Sequence, residues 1–342
     1  MTSPRVTLQD VARLAGVSRS AVSMALSDSP RISAAKKAEI REAAERLGYV
    51  PSSAGRALRA QRAGAVALVI PNTSHHVYGH PYFTHLLVGV TEAAQAHGSV
   101  TLVATNDDDQ DGVTAYERAL RSGAADGAIV TSAAASDPNV SRMVHSALPV
   151  VLVGRFPHLP TALSVGVDEV AAAAMITEHL LVEHGVRHIG HISGPLDHQT
   201  AADRYTGFRE ALSRLGEPTL QVHAEGDFSE ESGRRAAREL LDQAPSLEAI
   251  FAANDEMAYG ALLELRERGL RVPEDVALVG YDDFGVSRLT TPGITTVRVP
   301  AEQLGRTAGE KLFRSIAGEP AGERHTVLPV ELVVRESCGQ HP

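Results

Sequence analysis

The chain has 342 residues, 43% of them hydrophobic, which is enough for two or three domains with buried cores. Its single cysteine, Cys338, excludes an intramolecular disulfide, and this favours a reducing compartment. No apolar run is long enough to span a bilayer, and the first residues lack the apolar core of a signal peptide. We therefore expect a cytoplasmic protein with no membrane partner. A net charge of −10 argues, for the chain as a whole, against a nucleic-acid partner.

Residues 7–26, TLQDVARLAGVSRSAVSMAL, have the pattern of two short helices joined by a tight turn. The first helix has an apolar face at helical spacing, formed by Leu8, Val11, Ala12 and Ala15. Gly16 follows where a helix can end, and Ser18 stands where a second helix needs a cap. With Val22 and Leu26 facing inward, the outer face of the second helix consists of Arg19, Ser20, Ser23 and Met24. The pattern predicts a DNA-binding helix-turn-helix, and the alternative is an ordinary helical hairpin.

The charge distribution favours the DNA-binding interpretation. Residues 1–62 contain eleven Arg or Lys against five Asp or Glu, so this segment carries +6 and the remainder carries −16. A small basic segment joined to a large acidic one is typical of a phosphate-binding module attached to a domain that does not bind DNA.

Two further segments complete this N-terminal part. Ser33 can cap a third helix, whose apolar side includes Ile40, Ala43, Ala44 and Leu47. After a break at residues 51–53, residues 54–60 form a short helix candidate with basic residues and one large apolar side chain, Leu58. An isolated helix this short is marginal in water, so a flexible linker is the alternative.

From Ala65 onward, apolar strand patterns alternate with helical patterns. The buried-strand run at 66–70 is followed by helix 83–97 and strand 100–104, and the alternation continues to a strand at 276–279. It pauses near residues 155–161. This predicts an α/β core of two similar lobes with parallel sheets and helices on both faces. A last helix at 301–316 and the segment 327–334 are expected to cross back between the lobes.

Ligands of open parallel sheets bind beyond the carboxyl ends of the strands, so the residues that follow each strand are the candidates for a binding site. Arg204, Asn254 and Asp282 offer paired donors and acceptors that suit hydroxyl groups or the edge of a heterocycle. Asp255 and Asp283 could act as helix N-caps instead. The polar loop that begins at Asn106 is expected to be solvated only.

Several motifs at fixed offsets resemble the lactose/galactose repressor family. In the N-terminal part they cover Thr7–Ser23, Ser33–Ile40 and Leu47–Pro51. In the core they are Ser193–Pro195 with Arg204–Phe208, Ala253–Gly260 and Val279–Asp283. The resemblance extends over nearly the whole chain.

The resemblance implies an all-α helix-turn-helix headpiece at 1–50, a hinge helix at 51–62 and a periplasmic-binding-protein-like core of two Rossmann-like lobes at 63–342. It places residues 63–160 and 299–319 in the first lobe and residues 161–298 and 320–342 in the second. The DNA-contacting residues would be Thr7, Ser18, Arg19, Ser20, Ser23, Met24, Ser27, Arg56 and Leu58, with Leu58 inserted into the minor groove. The effector-binding residues would be Tyr82, Phe83, Arg204, Phe228, Asn254 and Asp282.

The function implied is a homodimeric repressor of carbohydrate-metabolism genes that binds operator DNA and is released by a sugar inducer. A repressor with a purine-type corepressor and a sugar receptor without DNA function are the alternatives. His184, His188 and His191 suggested a metal, but no H-E-x-x-H motif is present and we expect no metal site. No nucleotide-binding or nucleophile motif is present, so we expect no cofactor and no enzymatic activity.

Overall fold

The computed structural model describes residues 6–49, 62–108, 112–120, 123–216 and 220–339. Its contacts divide the chain into two compact units, Met1–Gly64 and Ala65–Pro342. The proposed hinge residues Arg56 and Leu58 lie outside the described residues, so their predicted roles stay predictions.

The first unit contains three helices, α1 (Leu8–Leu14), α2 (Arg19–Leu26) and α3 (Ala34–Arg46). The predicted serine caps are present, because Ser18 Oγ accepts from Ala21 N at 3.2 Å and Ser33 Oγ accepts from Lys36 N at 3.4 Å. The helices bury one small shared core, formed by Val11, Ala12, Val22, Ala25, Ile40, Ala43 and Ala44. The predicted helix-turn-helix and its third supporting helix are confirmed.

The second unit begins with a six-stranded parallel sheet that defines the first lobe. Its strands are β1 (Ala65–Thr73), β2 (Val100–Asn106), β3 (Ala128–Thr131), β4 (Val150–Val153), β5 (Leu163–Val167) and β11 (His325–Leu328), in the spatial order β11-β5-β4-β3-β1-β2. The helices between these strands are α4 (Ser74–Gly79), α5 (Pro81–Ala96), α6 (Thr114–Leu120) and α7 (Pro138–Val144). Strand β1 is buried along Ala65–Ile70, as its continuous apolar sequence predicts.

The second lobe contains a four-stranded parallel sheet in the order β7-β6-β8-β9. Its strands are β6 (His188–Ser193), β7 (Leu220–Glu225), β8 (Ala249–Ala252) and β9 (Ala277–Val279). The helices are α8 (Glu169–Glu183), α9 (Gln199–Leu215), α10 (Glu230–Gln243), α11 (Asp255–Glu267) and α12 (Val286–Leu289). Parallel strands joined by helices confirm the predicted α/β architecture.

The chain crosses between the lobes three times, and this corrects the predicted boundary between them. Strand β5 pairs with β4, and β11 pairs with β5, so both strands belong to the first sheet. The predicted boundary wrongly places residues 161–167 and 320–328 in the second lobe. The reason is that β5 is short and contains Ser164 and Gly166, so its sequence does not have the pattern of a buried strand. Between the lobes, β10 (Thr296–Arg298) and β12 (Glu331–Val333) form an antiparallel pair.

Helix α13 (Ala301–Ala317) packs against α5 of the first lobe at very close range. A Cβ atom on Gly89 would lie 1.9 Å from the carbonyl oxygen of Glu302, and one on Gly305 would lie 2.2 Å from that of Leu86. Glycine at these two positions therefore lets the helix backbones touch. None of the helices in the described segments is long and apolar enough to cross a membrane.

Candidate functional site

The headpiece presents the outer face of α2 to solvent, as the sequence predicts. Ser18, Arg19 and Ser20 are exposed, and Ser23 and Met24 are half-buried. Val22 on the opposite side of the same helix is fully buried, so packing against the other two helices fixes which side faces outward. The exposed side can donate and accept hydrogen bonds along one narrow helical surface.

Thr7 and Ser27 also have local structural roles at helix ends. Thr7 precedes α1, where its backbone N–H and its hydroxyl donate to Asp10 Oδ2 at 2.9 and 2.6 Å. Ser27 ends α2, where its hydroxyl donates to the carbonyl oxygen of Ser23 at 2.8 Å. Both side chains are exposed, so a contact with DNA is compatible with these roles.

In the second unit, the six predicted effector residues line a single cleft of about 970 Å³, part of which is open to solvent. Tyr82 and Phe83 lie at the start of α5, directly after Pro81 at its first position. Arg204 lies on α9, and the remaining three residues follow strands β7, β8 and β9. The carboxyl ends of the parallel strands in both lobes therefore contribute to one cleft, as the strand-end argument predicts.

Arg204 is held by several partners in this cleft, with 5% of its surface exposed. Its Nε donates to Glu169 Oε2 at 2.9 Å, its Nη2 donates to Asp282 Oδ1 at 3.2 Å, and its Nη1 donates to the carbonyl oxygen of Ala253 at 2.5 Å. The guanidinium carbon lies 3.7 Å from the centre of the Tyr281 ring. Burial disfavours the charge, but the carboxylates of Glu169 and Asp282 outweigh burial and raise the pKa of Arg204 above its usual value.

Three acidic side chains near this arginine hold their protons more tightly than usual. Burial raises the pKa of Asp282 to about 8, although Arg204 acts in the opposite direction. Burial also raises the pKa of Asp255 to about 7 and that of Glu256 to about 7. At neutral pH, Asp282 can therefore both donate and accept a hydrogen bond towards a ligand.

Three residues that line the cleft have left-handed backbone conformations that non-glycine residues rarely adopt. Their φ angles are 53° at Ser132, 69° at Phe228 and 110° at Asp282. Asp282 is held in this conformation because its N–H donates to the carbonyl oxygen of Val297 at 2.8 Å. Such strain is concentrated at binding sites, where the surrounding structure maintains it.

Phe228 has its place in the cleft because Gly194 has no side chain. A Cβ atom on Gly194 would lie 2.1 Å from the Phe228 ring. The ring thus packs directly on the backbone that follows β6, and the Ser193–Pro195 motif and Phe228 form one structural unit. The motif has glycine at position 194 because the Phe228 ring approaches the backbone there too closely for any side chain.

Asn254 lines the cleft, but its side chain is already engaged in the local structure. It caps α11, with Oδ1 accepting from Met257 N at 2.9 Å, and its Nδ2 donates to the carbonyl oxygen of Phe228 at 2.9 Å. It therefore links the loop that carries Phe228 to the start of α11. A direct ligand contact by Asn254 stays a prediction.

Asp255 and Asp283 are not helix caps, so that alternative is wrong; the caps of α11 and α12 are Asn254 and Gly285. Asp255 instead accepts from Asp283 N and from the Thr296 hydroxyl, each at 2.7 Å. Asp283 accepts from Arg298 Nε at 2.8 Å and from Arg335 Nη2 at 2.6 Å. Both residues hold together the segments that cross between the lobes.

The aromatic wall of the first lobe is formed by Tyr82, Phe83 and two histidines. The rings of Tyr82 and Phe83 are 5.4 Å apart in an edge-to-face arrangement, and those of His76 and His80 are 4.4 Å apart. Burial, together with the neighbouring His76, lowers the pKa of His80 to about 4, so this imidazole is neutral at physiological pH. Tyr82, Phe83 and His80 therefore form an uncharged stacking surface at physiological pH.

Several lining residues were not predicted from the sequence, chiefly those after the strands of the first lobe. Ser132 follows β3, and Arg155 and Phe156 follow β4. Glu169 is the first residue of α8, just after β5. The strand-end rule would have found them if it had been applied to the first lobe and if β5 had been recognised. The expectation that Asn106 is only solvated is wrong, because its side chain is buried and accepts from Ala115 N at 3.1 Å at the start of α6.

Arg155 joins the two lobes across the cleft. Its Nε donates to Asp203 Oδ2 at 2.8 Å, and its Nη2 donates to Oδ1 of the same carboxylate. Gln199 Nε2 donates to Asp203 Oδ1 at 2.7 Å. Asp203 is the neighbour of Arg204 on α9, but it does not line the cleft itself.

The three histidines considered for a metal do not converge. His188 and His191 each bond through Nδ1 to a backbone carbonyl oxygen, of Ser246 and Phe251, at 2.9 Å. His184 lies instead near His179 and Cys338, and the ligand atoms of these three residues are within 4.8 Å of one another. Cys338 Sγ lies 3.0 Å from Thr295 Oγ1 and 3.5 Å from His179 Nε2, so this group connects α8 with the C-terminal segment.

Comparison with known proteins identifies the class. Residues 7–52 match the family of bacterial regulatory proteins, lacI family, and residues 177–338 match a periplasmic binding protein-like domain. The chain is 37% identical over 341 residues to the HTH-type transcriptional regulator CelR of Thermobifida fusca, which covers 97% of this chain and 98% of CelR. The chain therefore belongs to the lacI family and is a DNA-binding transcriptional regulator, and the resemblance inferred from its motifs is confirmed.

Further relatives include regulators of sugar operons. The ribose operon repressor of Halalkalibacterium halodurans is 31% identical over 333 residues, 97% of this chain and 96% of the repressor. A solved structure of a CelR–cellobiose complex is 36% identical, with a TM-score of 0.74, and covers 97% of this chain and 100% of its own. The lac repressor dimer bound to operator and the anti-inducer ONPF is 26% identical, with a TM-score of 0.85, and covers 98% of this chain and 100% of its own.

Proposed function

We propose that this regulator is a homodimeric repressor of carbohydrate-metabolism genes, located in the cytoplasm, that a sugar effector releases from its operator. The observation that carries the proposal is the single cleft that gathers Tyr82, Phe83, Arg204, Phe228, Asn254 and Asp282 in a chain that also has an exposed helix-turn-helix face. Its relatives are regulators rather than enzymes, which supports a binding role for the cleft.

On the DNA side, α2 enters the major groove with Arg19, Ser20 and Met24 towards the base edges. Arginine pairs bidentately with guanine, serine can donate or accept, and methionine offers only apolar contact. Thr7, Ser18, Ser23 and Ser27 are placed at the ends or the flank of the same surface, where hydroxyls reach phosphate oxygens. Arg56 and Leu58 belong to a hinge helix that orders on DNA and inserts Leu58 into the minor groove.

On the effector side, the chemistry of the cleft suits a sugar. Glu169 and Asp282 provide carboxyl oxygens that accept hydrogen bonds from vicinal hydroxyls, and the Arg204 guanidinium holds both side chains in place. Tyr82 and Phe228 provide flat apolar surfaces for the faces of a sugar ring. The names of two relatives, a cellobiose complex of CelR and a ribose operon repressor, support the same ligand class.

Effector binding is coupled to DNA binding through the relative rotation of the lobes. Both lobes contribute side chains to the cleft, so a ligand that contacts both favours the closed arrangement. Rotation of the lobes then shifts the hinge helices between ordered and disordered states, which links the two sites through one two-state element. A dimer is required because the hinge helices act as a pair.

The test is binding of the full-length protein to duplexes from the upstream region of its own gene, at several salt concentrations, with a panel of sugars and nucleobases. We expect tight binding that weakens steeply with salt and is released by one sugar. Strengthening by a nucleobase would replace the sugar inducer with a corepressor. Absence of binding above the non-specific level to any of the duplexes would contradict the repressor assignment.

A matched variant lacking residues 1–62 separates the two halves of the proposal. Because this segment carries the basic charge and the helix-turn-helix, its deletion should abolish operator binding. The affinity for the sugar should change by less than about twofold, since the cleft is formed within Ala65–Pro342. Retained operator affinity would contradict the assignment of the headpiece.

A further inference from the structure

We propose that the effector is an uncharged, unphosphorylated sugar, and that Asp203 enforces this choice as a positioning residue that neutralises Arg155. The inference rests on the proposed function, since it specifies the ligand class of the same cleft. It depends on which charged side chains line the cleft and on the groups with which they are paired.

Two side chains with a permanent positive charge line the cleft in the described part of the chain, Arg155 and Arg204. Four of the five N–H groups of Arg204 are engaged, because Nε and Nη2 donate to Glu169 and Asp282 and Nη1 donates once to a backbone carbonyl oxygen, so at most one N–H is left for a ligand. Its charge is paired with the Glu169 carboxylate, and the side chains of Glu169 and Asp282 both line the cleft beside it. A phosphate at this point would lie against these two acidic side chains.

Arg155 is neutralised differently, by a carboxylate that does not face the ligand. Its Nε and Nη2 form a two-pronged ion pair with Asp203, whose side chain is 5% exposed. The bidentate geometry fixes the plane of the guanidinium. It also engages Nε and Nη2, the pair of donors that could otherwise bind two oxygens of a phosphate. About half of the Arg155 side chain stays exposed, so this is the position where a phosphate group would bind if Asp203 were not charged.

Three imidazoles line the cleft, those of His76, His80 and His198. Burial disfavours a charge on two of them, because it lowers the pKa of His80 to about 4 and also lowers that of His198. The cleft offers carboxyl oxygens that accept hydrogen bonds from hydroxyl groups, and neither Arg155, Arg204, His80 nor His198 supplies an unpaired cation for a dianionic ester.

The test uses the full chain and three matched pairs of probes: cellobiose, ribose and glucose, each beside cellobiose 6-phosphate, ribose 5-phosphate and glucose 6-phosphate. Calorimetry measures the affinity of each probe, and operator release is measured in parallel. The proteins are the wild type, Asp203→Asn and the control Asp197→Asn. Asn at position 203 keeps the shape of the side chain but removes its charge, whereas Asp197 is exposed and pairs with neither arginine.

For a sugar that binds, we expect the wild type to prefer the free form over its phosphate ester by at least about tenfold to a hundredfold, the worth of a hydrogen bond to a charged group. Asp203→Asn should lower this ratio by at least about tenfold, because Arg155 becomes available to the phosphate, while Asp197→Asn leaves it unchanged. The ratio of the two affinities is the decisive readout, since a loss of folded protein would lower both affinities together.

The outcomes separate this inference from the proposed function. If the wild type binds a phosphate ester more tightly than the free sugar, the inference is overturned and the sugar-responsive repressor stands. If Asp203→Asn leaves the ratio unchanged, the role of Asp203 is overturned. If no member of any pair binds or alters operator binding, the sugar-responsive function itself fails, and the inference fails with it.

Discussion

In the headpiece, Arg19 and Ser20 extend into solvent from a helix whose opposite side, at Val22, is fully buried. In the cleft, Arg204 is 5% exposed and is held by two carboxylates, a backbone carbonyl and an aromatic ring. In the headpiece, the residues that we propose to contact DNA are thus distinct from those that maintain the fold. In the cleft, the side chains that we propose to contact the ligand also maintain the fold.

This difference has a physical origin. DNA is recognised on an exposed surface, where phosphates and base edges replace water at each side chain on binding. A small ligand is recognised in a concave site, where charged groups must be paired before the ligand arrives. Substitutions in the headpiece should therefore affect binding without affecting folding, whereas those in the cleft should affect both.

The largest expected effect is that of Arg204→Ala. Removing the guanidinium leaves Glu169 buried without its cation and Asp282 without its hydrogen-bond donor, and this should lower the free energy of unfolding by about 3–5 kcal/mol and abolish the sugar response. Urea unfolding of the variant and operator release by the sugar measure the two effects. The control is Arg209→Ala on the same helix, where the exposed side chain predicts a change within about 0.5 kcal/mol. A stable Arg204→Ala protein would contradict the dual role of the cleft residues.

Arg19→Ala should weaken operator binding by about 1–3 kcal/mol and relax base preference, with unfolding changed by less than about 0.5 kcal/mol. The reason is that Arg19 is exposed at the start of α2 and contributes no core contact. Arg46→Ala removes the same charge at the end of α3 and serves as the control. If both variants lose the same affinity on operator and on random DNA, Arg19 contributes charge only and does not contact bases.

Ser18 caps α2 and is also proposed to contact DNA, so it tests whether the two kinds of residue are fully separated in the headpiece. Ser18→Ala removes the cap of α2 and should destabilise the headpiece by about 1 kcal/mol, while Ser18→Gly should cost only a few tenths. Hydrogen exchange in residues 6–49 measures this difference. Equal weakening of operator binding by both substitutions would show that the hydroxyl contacts DNA, whereas an effect of Ser18→Ala alone would reduce its role to capping.

The last expected effect is a slope with pH rather than a single loss, and it concerns the stability of the second unit. Burial raises the pKa of Asp255 and Glu256 to about 7 and that of Asp282 to about 8. In this range the folded state holds protons that the unfolded chain, with carboxyl pKa values near about 4, has released. The stability these groups contribute is complete below about pH 4 and is lost as the pH rises through about 7 to 8, by at most about 1.4 kcal/mol per unit and group.

Urea unfolding at several pH values between about 6.5 and 8.5 checks this slope. His80 and His191, whose pKa values are lowered to about 4 and about 3, contribute in the opposite direction up to the unfolded-state pKa of about 6.5, so their effect is confined to the lower edge of this window. Asp255→Asn should flatten the slope. Asp275→Asn should not, since Arg271 holds the pKa of Asp275 at about 2, well below the window. A stability that rises over this range would contradict the sign.

The fold and the site could be predicted from the sequence where a hydrophobic pattern repeats or where a motif is local. The spacing of Val11, Val22 and Ile40 predicts the headpiece core, and the strand-end rule with the family motifs brings six residues to one cleft. The sequence was insufficient where a strand is short and interrupted. Because β5 contains Ser164 and Gly166, it was not recognised, and Glu169, which follows it, was missed as the partner of Arg204. The pairing of Arg155 with Asp203 depends on how the lobes pack, and no local pattern encodes it.

The threefold crossing of the chain between the lobes constrains the order in which the protein can fold during synthesis. The first sheet lacks its edge strand until residues 325–328 have left the ribosome, because β11 pairs with β5 across a long stretch of sequence. The second lobe is completed later still, when the Ser337 hydroxyl bonds to the carbonyl oxygen of Leu278 and accepts from Thr295 N. A nascent chain can therefore fold its headpiece early, but both lobes must wait for the same last segment of about fifteen residues.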